Sequence, residues 1–312
     1  MTRRILVLRA LNLGDLLVAV PALRAIRRRW PQHRVVLATD GRLAPIVSLT
    51  DTVDELLPTT GLARLPRGAA GPWLAVNLHG AGPRSNAVLD ALRPLHRIGH
   101  KAPGWDGPPW AEDRPERRRW CRLLAAHGVP ADEDDLALRK PQRSPAPGAV
   151  VVHPGAAYPS RHWPPARYAA VAAVLARLGH RVVVTGSAAE RPVAAEVARR
   201  GWLPADSVLA GRTPLATLAA LIAEARLLVC ADTGVAHLSY AYRTPSVVLF
   251  GPVPARRWGP PGSGPHLALS RDELRRGDPF AATPDPAILG VDPTAVVDAA
   301  QRLLARTPAY RA

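Results

Sequence analysis

The chain has 312 residues, 47% of them hydrophobic and 21% charged, which supplies apolar material for two domain cores and excludes a wholly disordered chain. Its formal net charge of +16 is spread over both halves, and every basic residue except Lys101 and Lys140 is an arginine. That excess favours anionic partners such as phosphates or an acidic membrane face, but alone it makes no case for nucleic acid.

In chain order, Arg3-Arg4 and the apolar residues after them imitate a secretory signal, with Ala22-Leu23-Arg24-Ala25 resembling a cleavage site. Arg9 and Asp15 interrupt the stretch, so the uncharged run 16–23 falls far short of the ~20 residues that span a bilayer. Residues 5–8 form instead a first short apolar run, and a helical pattern follows over 15–29. Apolar runs at 35–38 and 74–78 come next, then a helix-length segment at 115–127. Residues 130–148 break the pattern with an acidic cluster (Asp132, Glu133, Asp134, Asp135) and a Pro/Ser/Gly-rich stretch that reads as a linker.

The pattern restarts at 150–153. A helix is expected over 165–178, where Val171, Val174, Leu175 and Leu178 keep the i, i+3, i+4, i+7 spacing. A run at 182–185, helices at 188–200 and 214–225, and runs at 227–230 and 247–250 follow. Residues 253–265, rich in Pro and Gly, are expected to be irregular, and 293–305 reads as a last helix. Val/Ile runs without polar alternation suit parallel strands buried on both faces. Their alternation with helices gives an α/β class of two Rossmann-like halves, at 1–143 and 149–290, with 291–312 as C-terminal helix and tail. Such sheets bind ligands outside the carboxyl ends of their strands. Cys121 and Cys230 lack the spacing of a disulfide framework or a zinc site, so a reduced cytoplasmic setting is expected.

Four strand-to-helix loops could carry chemistry. In Asn12-Leu13-Gly14-Asp15, Gly14 suits a tight turn, and Asp15 either caps the following helix or acts as a functional carboxylate. In the loop 153–164, Arg161 lies just ahead of a helix N-terminus, a poor place for the dipole and a good one for a bound phosphate. Gly186 and Ser187 free backbone N–H groups for a nucleotide; Glu190 either closes a Ser-x-x-Glu capping box or accepts from ribose hydroxyls. Asp232-Thr233-Gly234 opens a further helix and forms an anion- or sugar-binding concavity, with His237 one turn in. G-x-G-x-x-G, G-x-S-x-G and P-loop signatures are all missing. Asp132-Glu133-Asp134 is formally a D-x-D but lies on the presumed linker, where it reads as a solvated loop.

Together these loops resemble glycosyltransferase family 9, the ADP-heptose:lipopolysaccharide heptosyltransferases and their relatives. The resemblance rests on Leu13-Gly14-Asp15 with Pro21-Ala22-Leu23, and on His153-Pro154-Gly155-Ala156 with Arg161-His162-Trp163-Pro164. Thr185-Gly186, Asp232-Thr233-Gly234-Val235-Ala236-His237-Leu238 and Val248-Leu249-Phe250-Gly251-Pro252 complete it. It implies a GT-B architecture, two Rossmann-like domains whose parallel sheets face each other across a cleft. Asn12 and Gly14 would lie on the acceptor side, with Asp15 as general base in an inverting transfer. Arg161, where the family commonly has lysine, would meet the leaving diphosphate. Gly186, Ser187, Glu190, Asp232, Thr233, Gly234 and His237 would hold the nucleotide-diphospho-sugar, with ADP-heptose the donor the family favours. No cofactor or metal is implied. The implied partners are the donor, a cell-surface glycan or glycolipid acceptor and an anionic inner membrane, not nucleic acid. Two other readings compete: a non-catalytic module binding anionic glycolipid or nucleic acid, and a sugar-nucleotide epimerase of the same fold.

Overall fold

A computed structural model describes residues 2–306. The chain divides between Arg139 and Lys140 into two compact units, each built on a five-stranded parallel sheet. In the first unit the strands are β1 (Arg4–Leu8), β2 (Arg34–Thr39), β3 (Glu55–Pro58), β4 (Leu74–Asn77) and β5 (His96–Ile98), ordered β3-β2-β1-β4-β5. Central β1 sets Leu6 between Val36 and Ala75, and these residues share a core with Leu8, Ala38 and Leu89. The helices are α1 (Leu13–Val18), α2 (Val20–Arg29), α3 (Ala44–Thr50), α4 (Arg84–Asp90) and α5 (Glu116–Ala126).

The second unit repeats the plan. Its strands β6 (Val150–His153), β7 (Val182–Val184), β8 (Leu227–Ala231), β9 (Ser246–Leu249) and β10 (His266–Leu269) are ordered β10-β9-β8-β6-β7. Its helices are α6 (Pro165–Arg177), α7 (Arg191–Arg200), α8 (Leu215–Ala223), α9 (Gly234–Tyr242), α10 (Ala255–Trp258), α11 (Pro286–Leu289) and α12 (Pro293–Arg306). The expected last helix is α12, and it is part of this unit's core: Val296, Ala299, Ala300, Leu303 and Leu304 pack with Val150, Val152 and Leu249.

Three local expectations need correction. The helix expected over 15–29 is two helices, α1 and α2, broken at Ala19. Pro21 explains the break: it lacks an N–H and its ring would clash with the preceding turn, yet it is tolerated in the first turn of α2. The acidic cluster is not linker. Asp135 pairs with Arg24 (3.4 Å) and Arg28, and Glu133 with Arg118 (2.7 Å), tying the loop to α2 and α5. Residues 253–265 contain one helical turn, α10, started by Pro254 just ahead of it.

The strand orders locate the ligand-binding edge of each unit. From β1 the chain runs outward through β2 and β3, then returns to the other side of β1 for β4 and β5. The switch point lies between the carboxyl ends of β1 and β4. In the second unit the same reversal falls between β6 and β8.

Candidate functional site

At the first unit's switch point, the residue following β1 is Arg9, only 2% exposed. Its Nε donates to the Asp15 carbonyl (2.8 Å), its Nη1 to the Leu78 carbonyl at the end of β4 (2.6 Å), and its Nη2 to Asp15 Oδ1 (3.3 Å). The guanidinium lies 4.7 Å from the centroid of the Trp120 ring. Asp15 is the third residue of α1, and its Oδ2 accepts from the Asn12 backbone N–H at 3.2 Å. The carboxylate thus does what a helix-capping residue does, while its side chain stays 22% exposed. Capping and function coexist at this position. Gly14 lies inside α1 and is not among the positive-φ glycines, so the tight turn expected of it is not its role.

The end of β4 contributes residues that sequence reasoning passed over. Asn77 Oδ1 accepts from the backbone N–H groups of His79 (2.9 Å) and Gly80 (3.4 Å), while its Nδ2 donates to Ser85 Oγ and Asn86 Oδ1. This sets the turn that presents His79, whose enclosed Nδ1 has no hydrogen-bond partner. Burial and then the Arg9 charge hold the imidazole below its ordinary pKa of 6.5, with Asp15 acting in the opposite direction. Its surroundings thus favour the neutral imidazole.

At the second unit's switch point, the loops after β6, β7 and β8 lie side by side. His153, at the end of β6, is buried and its Nδ1 lies 3.0 Å from Thr185 Oγ1 at the end of β7. Ser187 and Glu190 form a reciprocal pair just ahead of α7. The Ser187 N–H donates to Glu190 Oε2 (2.7 Å), and the Glu190 N–H to Ser187 Oγ (3.3 Å). The Glu190 carboxylate then crosses to the β6 loop, into space that exists because Gly155 has no side chain: a Cβ there would lie 2.1 Å from Oε1. Gly186 is also tightly placed, 3.1 Å from Glu190 Cβ by the same measure. Burial pushes the Glu190 carboxyl up, but the Ser187 N–H and the nearby His153 outweigh it and hold the group below its usual range. Burial holds His153 below 6.5.

Arg161 closes a short 3-10 turn (Pro159–Arg161) after β6 and reaches across to the β8 loop. Its Nη1 lies 3.3 Å from the Asp232 carbonyl and 3.4 Å from Asp232 Oδ2. Its Nε is enclosed without a partner, an orphaned donor on a cation at the carboxyl ends of the strands. Thr233, in extended conformation, precedes the nine-residue helix α9, so the Gly234 end offers free backbone N–H groups. His237 is buried edge-on to Tyr240 (5.3 Å) and Trp258 (5.9 Å), which gives its ring a packing role beside the turn. Trp163 is structural as well: 1% exposed, it stands perpendicular to Tyr168 and donates to the Val291 carbonyl at 3.2 Å. A surface cavity of about 400 Å³ lined by Ala166, Ala169, Ala170, Arg199, Arg200 and Trp202 shares none of these residues.

The structure therefore gathers the sequence candidates into two constellations, one per unit. Asn12 and Asp15 lie together in the first. His153, Gly155, Gly186, Ser187, Glu190, Arg161, Asp232, Thr233 and Gly234 line neighbouring loops of the second. Each switch point carries a bridging arginine, Arg9 or Arg161, between its two flanking loops.

Two parallel α/β units of this plan constitute the GT-B fold of glycosyltransferases, and known proteins agree. Residues 120–273 match the family described as Glycosyltransferase family 9 (heptosyltransferase). The chain is 33% identical over 181 residues to lipopolysaccharide heptosyltransferase 1 of Pseudomonas aeruginosa, covering 56% of this chain and 48% of that protein. It thus spans about half the length of that relative. With lipopolysaccharide heptosyltransferase 2 of Escherichia coli it is 24% identical over 298 residues, covering 80% of this chain and 83% of that one. Among solved structures, the family 9 glycosyl transferase from Veillonella parvula superposes with a TM-score of 0.79 at 19% identity, covering 98% of each chain. The E. coli ADP-heptose lps heptosyltransferase II does so at 0.77 and 21%, covering 97% of this chain and 99% of that one. Over residues 120–273 the chain is thus similar to glycosyltransferase family 9, and its fold is the one seen in solved structures of that family.

Proposed function

We propose that the protein transfers heptose from ADP-heptose to a hydroxyl of a lipopolysaccharide-type glycolipid, with inversion at the anomeric carbon. The observation that carries the donor half is the second unit's switch point, where Arg161 with its orphaned Nε adjoins the open end of α9. A cation and free N–H groups so placed suit a diphosphate, both bound and leaving. Glu190 would accept from ribose hydroxyls, Asp232 from hydroxyls of the sugar, and Thr233 and Gly234 would meet the phosphates. Similarity to two lipopolysaccharide heptosyltransferases and to the fold of an E. coli ADP-heptose heptosyltransferase supports this choice of donor and acceptor.

In the first unit, Asp15 would act as general base, with Asn12 and Gly14 on the acceptor side. The acceptor oxygen attacks the anomeric carbon as its proton passes to the Asp15 carboxylate. The glycosidic bond forms while the bond to the diphosphate breaks, and ADP departs with both electrons of that bond. No metal is required in this scheme, since Arg161 and the α9 N–H groups meet the charge that develops on the diphosphate. A glycolipid acceptor also brings the chain to an anionic membrane face, in keeping with its +16. Among the described residues no helix is long and apolar enough to cross a membrane, so the contact would be peripheral.

The test is calorimetric titration and thermal shift with ADP, UDP, GDP and dTDP. Stabilisation by ADP that grows with concentration is expected. Preference for UDP or GDP would retain sugar transfer and overturn the heptosyl assignment. Absence of stabilisation by any nucleotide would overturn the donor site.

A further inference from the structure

Arg9 is a charged residue buried directly after a central parallel strand, where an apolar side chain would be expected. Burying an ion is costly unless its donors are met. Here they are met from both sides of the switch point: the Asp15 carbonyl and carboxylate belong to the β1 turn, the Leu78 carbonyl to the end of β4. The face of the guanidinium lies against Trp120, which is buried and packs with Trp110 (6.1 Å) and His100 (6.0 Å). Behind them Arg119 pairs with Glu116 at 3.0 Å and stands 3.9 Å from the Trp110 ring centroid. The charged and titratable groups that act on Arg9 are thus Asp15, His79, Glu116 and Arg119.

An apolar side chain would fill this space without the cost of a buried charge. It could not orient a carboxylate. Arg9 Nη2 takes Asp15 Oδ1 while the Asn12 N–H takes Oδ2, so both oxygens have a fixed neighbour. The backbone of Arg9 is itself anchored, its carbonyl accepting from Thr39 Oγ1 at 2.8 Å. The result is a rigid support under one functional side chain.

We infer that Arg9 is a positioning residue for the transfer reaction: it clamps the β1 turn to the end of β4 and holds the Asp15 carboxylate at the angle needed to take the acceptor proton. The inference rests on the reading of Asp15 as general base. Misplacing a catalytic group by about 1 Å can cost on the order of a hundredfold in rate.

The test uses the full chain with Arg9→Met and Arg9→Lys, each alone and combined with Asp15→Asn, under single-turnover and steady-state conditions. Arg9→Met is expected to lower kcat about a hundredfold while the donor KM stays within about twofold, and Arg9→Lys to recover part of the loss. In the Asp15→Asn background, Arg9→Met should bring no further loss, because the clamp then has no base to hold. A donor KM that rises in parallel, or an equal further loss in the Asp15→Asn background, would overturn the inference in favour of a purely structural role. Should Arg9→Met fail to fold, Arg9→Lys decides: about tenfold lower kcat at unchanged donor KM is expected, and wild-type kcat overturns it. Failure of the underlying reading looks different, since Asp15→Asn would then itself remain active.

Discussion

Gly155→Ala probes the donor-side loops most sharply. The added Cβ would lie 2.1 Å from Glu190 Oε1, 2.2 Å from Cδ and 2.7 Å from Oε2. Ordinary contact begins near 3.4 Å, so the flexible end of Glu190 must retreat by roughly 1 Å, which is expected to break the 2.7 Å bond from the Ser187 N–H. A hydrogen bond to a charged group contributes about 1.5–3 kcal/mol. Against this, alanine makes the unfolded chain less flexible, a gain of about 0.4–1 kcal/mol where the backbone is compatible. Gly155 meets that condition, being absent from the positive-φ glycines. The net expectation is a loss of about 1–2 kcal/mol, or a melting point lower by roughly 2–8 °C. Because the displaced carboxylate is the proposed ribose acceptor, ADP should also bind about tenfold more weakly. Urea denaturation and ADP calorimetry read the two effects. In a Glu190→Ala background both should vanish, since the three atoms nearest the added Cβ all belong to the Glu190 carboxylate. A Gly155→Ala protein as stable as the parent, or equally destabilised in both backgrounds, would refute the reasoning.

Arg161→Ala should weaken donor binding by about ten- to a hundredfold and lower turnover with it, since it removes the cation proposed to meet the phosphates and its contact with buried Asp232; unchanged donor Kd by calorimetry would count against a phosphate role. EDTA should leave turnover unaffected, and activity lost to the chelator and restored by Mg²⁺ would contradict the metal-free scheme. Stability should fall on acidification in two stages. His79, His100 and His153 are held below 6.5, chiefly by burial. The unfolded chain therefore binds more protons than the native one below about pH 6.5, and stability declines from there downward. Glu190, held below its usual range, contributes stability that is present above the unfolded value of about 4.5 and lost as pH falls through its lower native value. Urea midpoints between pH 8 and 4 measure this, and a flat profile down to pH 5 would contradict the histidine stage.

The central strands and the fully buried edge strand β7 were legible because they are continuous apolar runs rich in Val, Leu and Ile. β1, β2, β4, β6, β7, β8 and β9 all coincide with runs read from the sequence. The strands that escaped, β3, β5 and β10, lie at sheet edges and are partly exposed, and His96-Arg97-Ile98 carries no apolar signature. The donor-side turns were readable because small residues follow apolar runs and precede helices. The β4 turn was not, since Asn77-Leu78-His79-Gly80 has no spacing that points to chemistry. Arg9 was visible only as an interruption of an apolar stretch; its bonds come from residues as distant as Leu78, which no local pattern reports. The break at Ala19 did have a signal in Pro21. The capping pair of Ser187 and Glu190 was readable from spacing, but the dependence of Glu190 on the bare backbone of Gly155 is a tertiary fact.

The central claim is that Asp15 removes the acceptor proton. Single-turnover transfer by Asp15→Asn, measured alongside ADP affinity in the same preparation, tests it directly. Donor binding within about twofold of the parent, with transfer slowed by about 10²–10⁴-fold, is the predicted result. Transfer within about tenfold of the parent at the same donor occupancy would contradict the account.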